Sequence, residues 1–221
     1  MELNKFYAGE DKAPFSDFED TTRTVNLRVK RVATLELTSG LVGAADPFCV
    51  DEHFLSFEAP GRGIIYATEA DVSILQDGSH PRIAYLSLIF SKDEPADILP
   101  AVPVGHKATE LSEDHAFGVP VDAGSVSFFD SKEMQSFLNS IDVDRQEELR
   151  DEWIDELYAD DSPQFTIGRV RFPLSDAPDA DAGTLGISNS GWGDGFYPVY
   201  KTVDVQGKVL GYHIDLQVVG E

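Results

Sequence analysis

The chain has 221 residues, 42% of them hydrophobic, with 14 Phe and 7 Tyr among them. That length suits one large domain, or one domain with an appended piece, and the apolar content excludes disorder as the main state. Asp and Glu number 40 against 17 Lys and Arg, a formal net charge of -23, and such a surface repels nucleic-acid phosphates and anionic membranes.

Residues 1–24 are polar, with isolated aromatics at Phe6, Tyr7, Phe15 and Phe18, and read as an irregular arm pinned to the body by those rings. Residues 25–221 then read as one mainly-β domain with a helical insertion at about 131–159. In "VNLRVKRVATLEL" Val25, Leu27 and Val29 alternate with Asn26, Arg28 and Lys30, the period of a half-buried strand. The phase slips at Arg31–Val32, which a bulge would absorb. "SGLVGAADPF" carries Gly40, Gly43 and Pro47 and reads as a loop or a set of short turns. Short strands are expected on either side of Pro60-Gly61. "PRIAYLSLIF" has the continuous apolar character of a central strand, and Pro100 and Pro103 confine "ADILPAVPVG" to an edge.

"FGVPVDAGSVSFFD" turns at Asp122-Ala123-Gly124 between two apolar stretches. Ser131 is the expected cap of a helix with Met134, Phe137, Leu138 and Ile141 on one face. Asp144 would cap a second helix, with Leu149, Trp153, Ile154 and Leu157 opposite a strongly acidic face. Strands return in "FTIGRVRFPL", "TLGISN", "FYPVYKTVD" and "KVLGYHIDLQVV", the last two as a hairpin through Gln206-Gly207. Many strands and one helical pair predict an α+β fold, mainly antiparallel and sandwich-like.

Three acidic stretches carry the candidate chemistry. In "NSGWGDGFYP" glycines alternate with Trp192 and Asp194. They permit a tight connection, with Asp194 bonding backbone amides, or a pocket floored by Trp192 with Asp194 and Tyr197 at hand. Asp122 suits a turn and Asp130 a helix start; converging with Asp194, they would form a carboxylate cluster for magnesium or calcium. "AADPFCVDEHF" offers Asp46, Asp51, Glu52 and His53, with Asp46 a natural turn starter before Pro47. The five histidines have no paired zinc spacing, and Cys49 reads as a buried thiol. "DAPDADAG" departs from a calcium loop and reads as surface.

Taken together, "ADPF", "VDAGSVSFFD" and "SGWGDGFYPVY" before a terminal hairpin resemble the bacterial proteins called domain of unknown function 4241. The resemblance runs over about residues 40–219, and its most specific part is Gly191 to Gly195. It implies that the three motif loops share one edge, and it supplies no activity.

Two functions from different classes follow. The leading one is non-enzymatic: an acidic module, immunity- or antitoxin-like, that binds a basic protein or cationic ligand through Asp46, Asp122, Asp130, Trp192, Asp194 and Tyr197. The alternative is a hydrolase using a divalent metal on Asp122, Asp130 and Asp194. A solvated acidic surface with no partner accounts for the charge equally simply. No run approaches the roughly 18 apolar residues of a membrane span. "MELNKFYAGEDKAPFSDFED" has no secretory core, and a lone cysteine forms no internal disulfide, so the expected location is the cytoplasm.

Overall fold

The computed structural model describes residues 12–16, 22–49, 54–111, 115–142, 144–145, 148, 151–153, 155, 167–171 and 184–220. The elements are β1 (Lys12–Ser16), β2 (Thr22–Glu36), β3 (Leu41–Ala45), β4 (Leu55–Glu58), β5 (Arg62–Asp71), β6 (Pro81–Ile89) and β7 (Asp97–Pro100). They continue with β8 (Gly118–Val121), β9 (Ser125–Asp130), α1 (Ser131–Leu138), β10 (Ile167–Arg171), β11 (Thr184–Asn189), β12 (Gly195–Val203) and β13 (Val209–Asp215).

The pairings are antiparallel and form two sheets. The larger runs β1-β2-β5-β6-β13-β12-β7, with β8 also on β12; the smaller runs β10-β11-β9-β3-β4. The predicted slip in β2 is a register shift between Arg31 and Ala33 against β5. β6 is central and buried along most of its length, as its continuous apolar run requires. β7 ends the sheet, where its proline is tolerated.

The sheets face each other, with Ile65 of β5 pressed on Gly186 of β11. Val42, Ala44, Phe57, Val126 and Phe128 of the small sheet share one core with Ala67, Ile83, Tyr85, Tyr212 and Ile214 of the large one. β9 is buried throughout because it serves two interfaces. Phe128 joins this inter-sheet core. Phe129, one step along and so on the other face, joins Met134, Phe137 and Trp153 in a helical layer. Phe137 stacks on Trp153 at 5.8 Å, which ties α1 to the second helical stretch.

The structure corrects several local expectations. Residues 12–16 are a strand, not irregular arm, and Phe15 is buried as its aromatic character suggested; Phe6, Tyr7 and Phe18 lie outside the described residues. Leu41–Ala45 is a strand because Gly43 lets the Phe129 ring lie across it; a Cβ there would overlap the ring. Asp130 caps α1 in place of Ser131, accepting from Lys132 N and Glu133 N. Asp144, the expected cap of the second helix, is itself helical, and two residues earlier the Asp142 carboxylate accepts from Arg145 N at 2.9 Å. Cys49 is exposed. Asp51, Glu52, His53, Leu149, Ile154, Leu157 and residues 176–183 lie outside the described residues. Among the described residues, no helix is long and apolar enough to cross a membrane.

His213 of β13 is fully buried between Ser87 Oγ (2.9 Å from Nδ1) and Thr202 Oγ1 (3.0 Å from Nε2). Burial disfavours the imidazolium and lowers its pKa to about 3. Between that value and the unfolded histidine's 6.5 the unfolded chain holds more protons, so stability falls as pH falls through this window. From pH 7 to pH 4 the loss from this group is about 3 kcal/mol, at ~1.4 kcal/mol per pKa unit. His213→Gln removes the titration. Denaturant unfolding at both pH values should therefore give a smaller acid loss in the variant by that amount; an identical loss contradicts the assignment.

Candidate functional site

The chain passes between the sheets at the two motif turns. Residues 122–124 lead from β8 in the large sheet to β9 in the small one, and residues 190–194 lead from β11 back to β12. β9 begins beside the end of β11, with Asn189 opposite Ser125, so the crossings meet at one end of the sandwich. Ser190 N donates to Gly124 O at 3.0 Å and closes them together.

Asp46 supplies the third loop. It follows β3, whose Ala45 lies opposite Ser127 of β9. One carboxylate oxygen accepts from Phe48 N at 3.1 Å, the turn role expected of an Asp before Pro. The other accepts from Asp122 N at 3.0 Å and Ala123 N at 2.7 Å. Burial pushes the Asp46 carboxyl above its ordinary value, the three amide bonds offset part of that, and the Asp122 charge adds to it.

Gly191 explains the glycines of the second crossing. Its φ is +70°, and a Cβ would stand 2.6 Å from Val218 Cγ2 and 2.8 Å from Ile83 O. Backbone must pass there with no side chain. Ser190 Oγ and Tyr197 Oη both donate to Gly193 O, at 2.6 and 2.8 Å. Burial, with the Asp194 charge adding to it, raises the Tyr197 pKa and keeps that donor protonated.

What this frame presents is an outward strip. Gly195 pairs with Val121 and Phe196 with Pro120, and Asp194 and Asp122 each stand one residue beyond the last pair of that ladder. Tyr197 points into the core, and alternation turns Asp194 and Phe196 the other way. Asp122, Pro120, Asp194 and Phe196 are all exposed, Phe196 by 58%, with its ring over Gly118. Trp192, 39% exposed, borders the strip. It carries the Arg82 guanidinium 5.1 Å from its ring centroid and Phe15 at 6.5 Å, so it is held from two sides.

Six sequence candidates thus divide. Asp46, Asp122, Trp192, Asp194 and Tyr197 gather at the crossings, Asp46 and Tyr197 as buried supports and Asp122 and Asp194 as exposed groups. Asp130 stands at the other end of β9, roughly 17 Å along the strand from Ser125, and its carboxylate is engaged by α1 and by Ser39 N at 2.8 Å. Asp122, Asp130 and Asp194 therefore do not meet at one magnesium or calcium ion. Among the described residues, no three His, Cys, Asp or Glu side chains group closely enough to hold a metal ion. Phe196, Pro120 and Arg82 escaped the sequence reading. The alternation Asp194, Phe196 outward against Tyr197 inward was the signal for the first of them.

No curated protein and no solved structure matches the chain. A family model described as "Protein of unknown function (DUF4241)" matches residues 35–213, a span that holds all three motif loops and both sheets' central strands. The chain belongs to the DUF4241 family.

Proposed function

We propose that the chain is a binding module for a basic protein, and that the strip Asp122, Asp194 and Phe196 is where it takes the partner's Lys or Arg side chains. The observation that carries this reading is the placement of two exposed carboxylates, each one residue beyond the last pair of the β8–β12 ladder, beside an exposed ring on a frame held by Asp46, Ser190 and Tyr197. Carboxylates accept from an ammonium or guanidinium head. The ring covers its aliphatic stem or meets the cation face-on. The net charge of -23 draws such a partner in from a distance. Rigid support matters, since a preordered site spends less of its interaction energy on ordering.

The test is calorimetric titration with a lysine-rich peptide that has Ser as its only other residue. Affinity should fall as salt rises, because exposed charges are screened. Asp122→Asn with Asp194→Asn should weaken it about three- to tenfold, the scale of two exposed ion pairs. Binding that ignores salt, or that the double variant retains in full, overturns the reading.

A further inference from the structure

The loop between β5 and β6 presents two large aliphatic side chains to solvent, Ile74 at 88% and Leu75 at 80% exposure. Single exposed apolar residues are ordinary; an adjacent pair at the tip of a rigid loop is not. This loop is held from every side. Asp71 accepts from Ser73 N (3.1 Å) and Gly78 N (2.7 Å). Gln76 donates to Asp71 O (2.7 Å) and Ser73 O (2.8 Å), accepts from Asn26 N (2.7 Å), and sits at φ +52°. A non-glycine residue in that region persists where its surroundings over-determine it, and such positions cluster at functional loops. Arg23 of β2 adds bonds to Ser73 O (2.6 Å) and Val72 O. The tip is thus displayed by design of its neighbours and is not loose chain.

The tip is continuous with the crossings. Arg23 lies over Phe15, Phe15 lies beside Trp192, and Trp192 carries Arg82, which donates to Gly191 O at 3.3 Å. The Asp71 and Asp77 carboxylates are engaged by backbone amides of the loop itself, and the chain's -23 decides the partner at range. That charge opposes an anionic lipid surface and a second copy of this chain, and it favours a basic protein.

Resting on the binding reading above, we propose that Ile74 and Leu75 insert among the apolar side chains of a basic amphipathic segment of the partner. The acidic strip reads that segment's cations, and the tip reads its apolar residues.

Two peptides of equal charge separate the claims: one of Leu and Lys at helical spacing, one of Ser and Lys. The Leu/Lys peptide should bind about tenfold or more tightly than the Ser/Lys peptide, and Ile74→Ser with Leu75→Ser should abolish that preference. Ser/Lys binding and thermal stability should be unchanged in this variant, since both residues are exposed. A preference that survives in the double variant overturns the insertion and leaves the charge reading standing. Failure of both peptides to bind overturns the two together. Two further measurements bear on the occupant. Binding of wild type to phosphatidylglycerol vesicles, or a wild-type dimer in sedimentation, lost in the variant in either case, reassigns the tip and overturns the proposal.

Discussion

Asp46→Ala should destabilise the protein by about 3–5 kcal/mol, enough to lower its melting temperature by roughly 6–20 degrees or to prevent folding. The substitution leaves Phe48 N, Asp122 N and Ala123 N without their acceptor at a buried site. Each buried orphan amide costs about 1–3 kcal/mol, and partial entry of water brings the sum below the simple total. The damage should extend beyond one turn, because Asp46 joins the end of β3 to the crossing that starts β9. Asp46→Asn keeps one carbonyl acceptor and should cost about half as much. Its pH dependence has a definite sign. The folded-state pKa of Asp46 is raised, so the folded chain holds more protons than the unfolded chain just above pH 3.8. Ionisation therefore removes stability as pH rises through that window. Wild type should lose ground relative to Asp46→Asn between pH 3.5 and pH 7, measured as the difference in melting temperature. A gap that widens in favour of wild type would show that the carboxylate is stabilised by ionisation and not disfavoured by burial.

The sequence made the strands legible where periodicity is local. β2 with its slip, β6 as a central strand, β7 as an edge and the β12–β13 hairpin all follow from runs of a few residues. β3 was hidden because its two small, loop-like features, Gly43 and the Asp46-Pro47 step, have causes far away in the chain. Gly43 is small for Phe129, and Asp46 reaches residues 122 and 123. The same distance explains the site. The motif loops were each recognisable, yet spacing cannot say that Asp122 and Asp194 flank the end of one ladder while Asp130 leaves for the other end of a strand. Nor can it say that Trp192 already holds a cation, since Arg82 is more than a hundred positions away. Local chemistry read the Asp roles as caps and turns, and for Asp46 and Asp130 those roles are real; the tertiary bonds are what composition and periodicity do not encode.

Asp130→Ala should cost a comparable amount, about 2–4 kcal/mol, by a different route. Asp130 Oδ1 accepts from Lys132 N at 2.9 Å and Glu133 N at 3.1 Å, and loss of such an N-cap alone is worth about 0.5–2 kcal/mol. Oδ2 accepts from Ser39 N at 2.8 Å, in the turn that joins β2 of one sheet to β3 of the other. That amide becomes a part-buried orphan, a further cost of about 1–3 kcal/mol. Asp130→Asn and Asp130→Ser separate the two jobs. Asn and Ser are both good caps, but Ser is too short to hold the helix start and Ser39 N at once. Ser should therefore recover the cap share only, and Asn most of the whole. Because Asp130 is remote from Asp122 and Asp194, binding of the lysine-rich peptide should be unchanged in Asp130→Asn at a temperature where it is folded. Loss of that binding with the fold intact would return Asp130 to the functional site from which its position removes it.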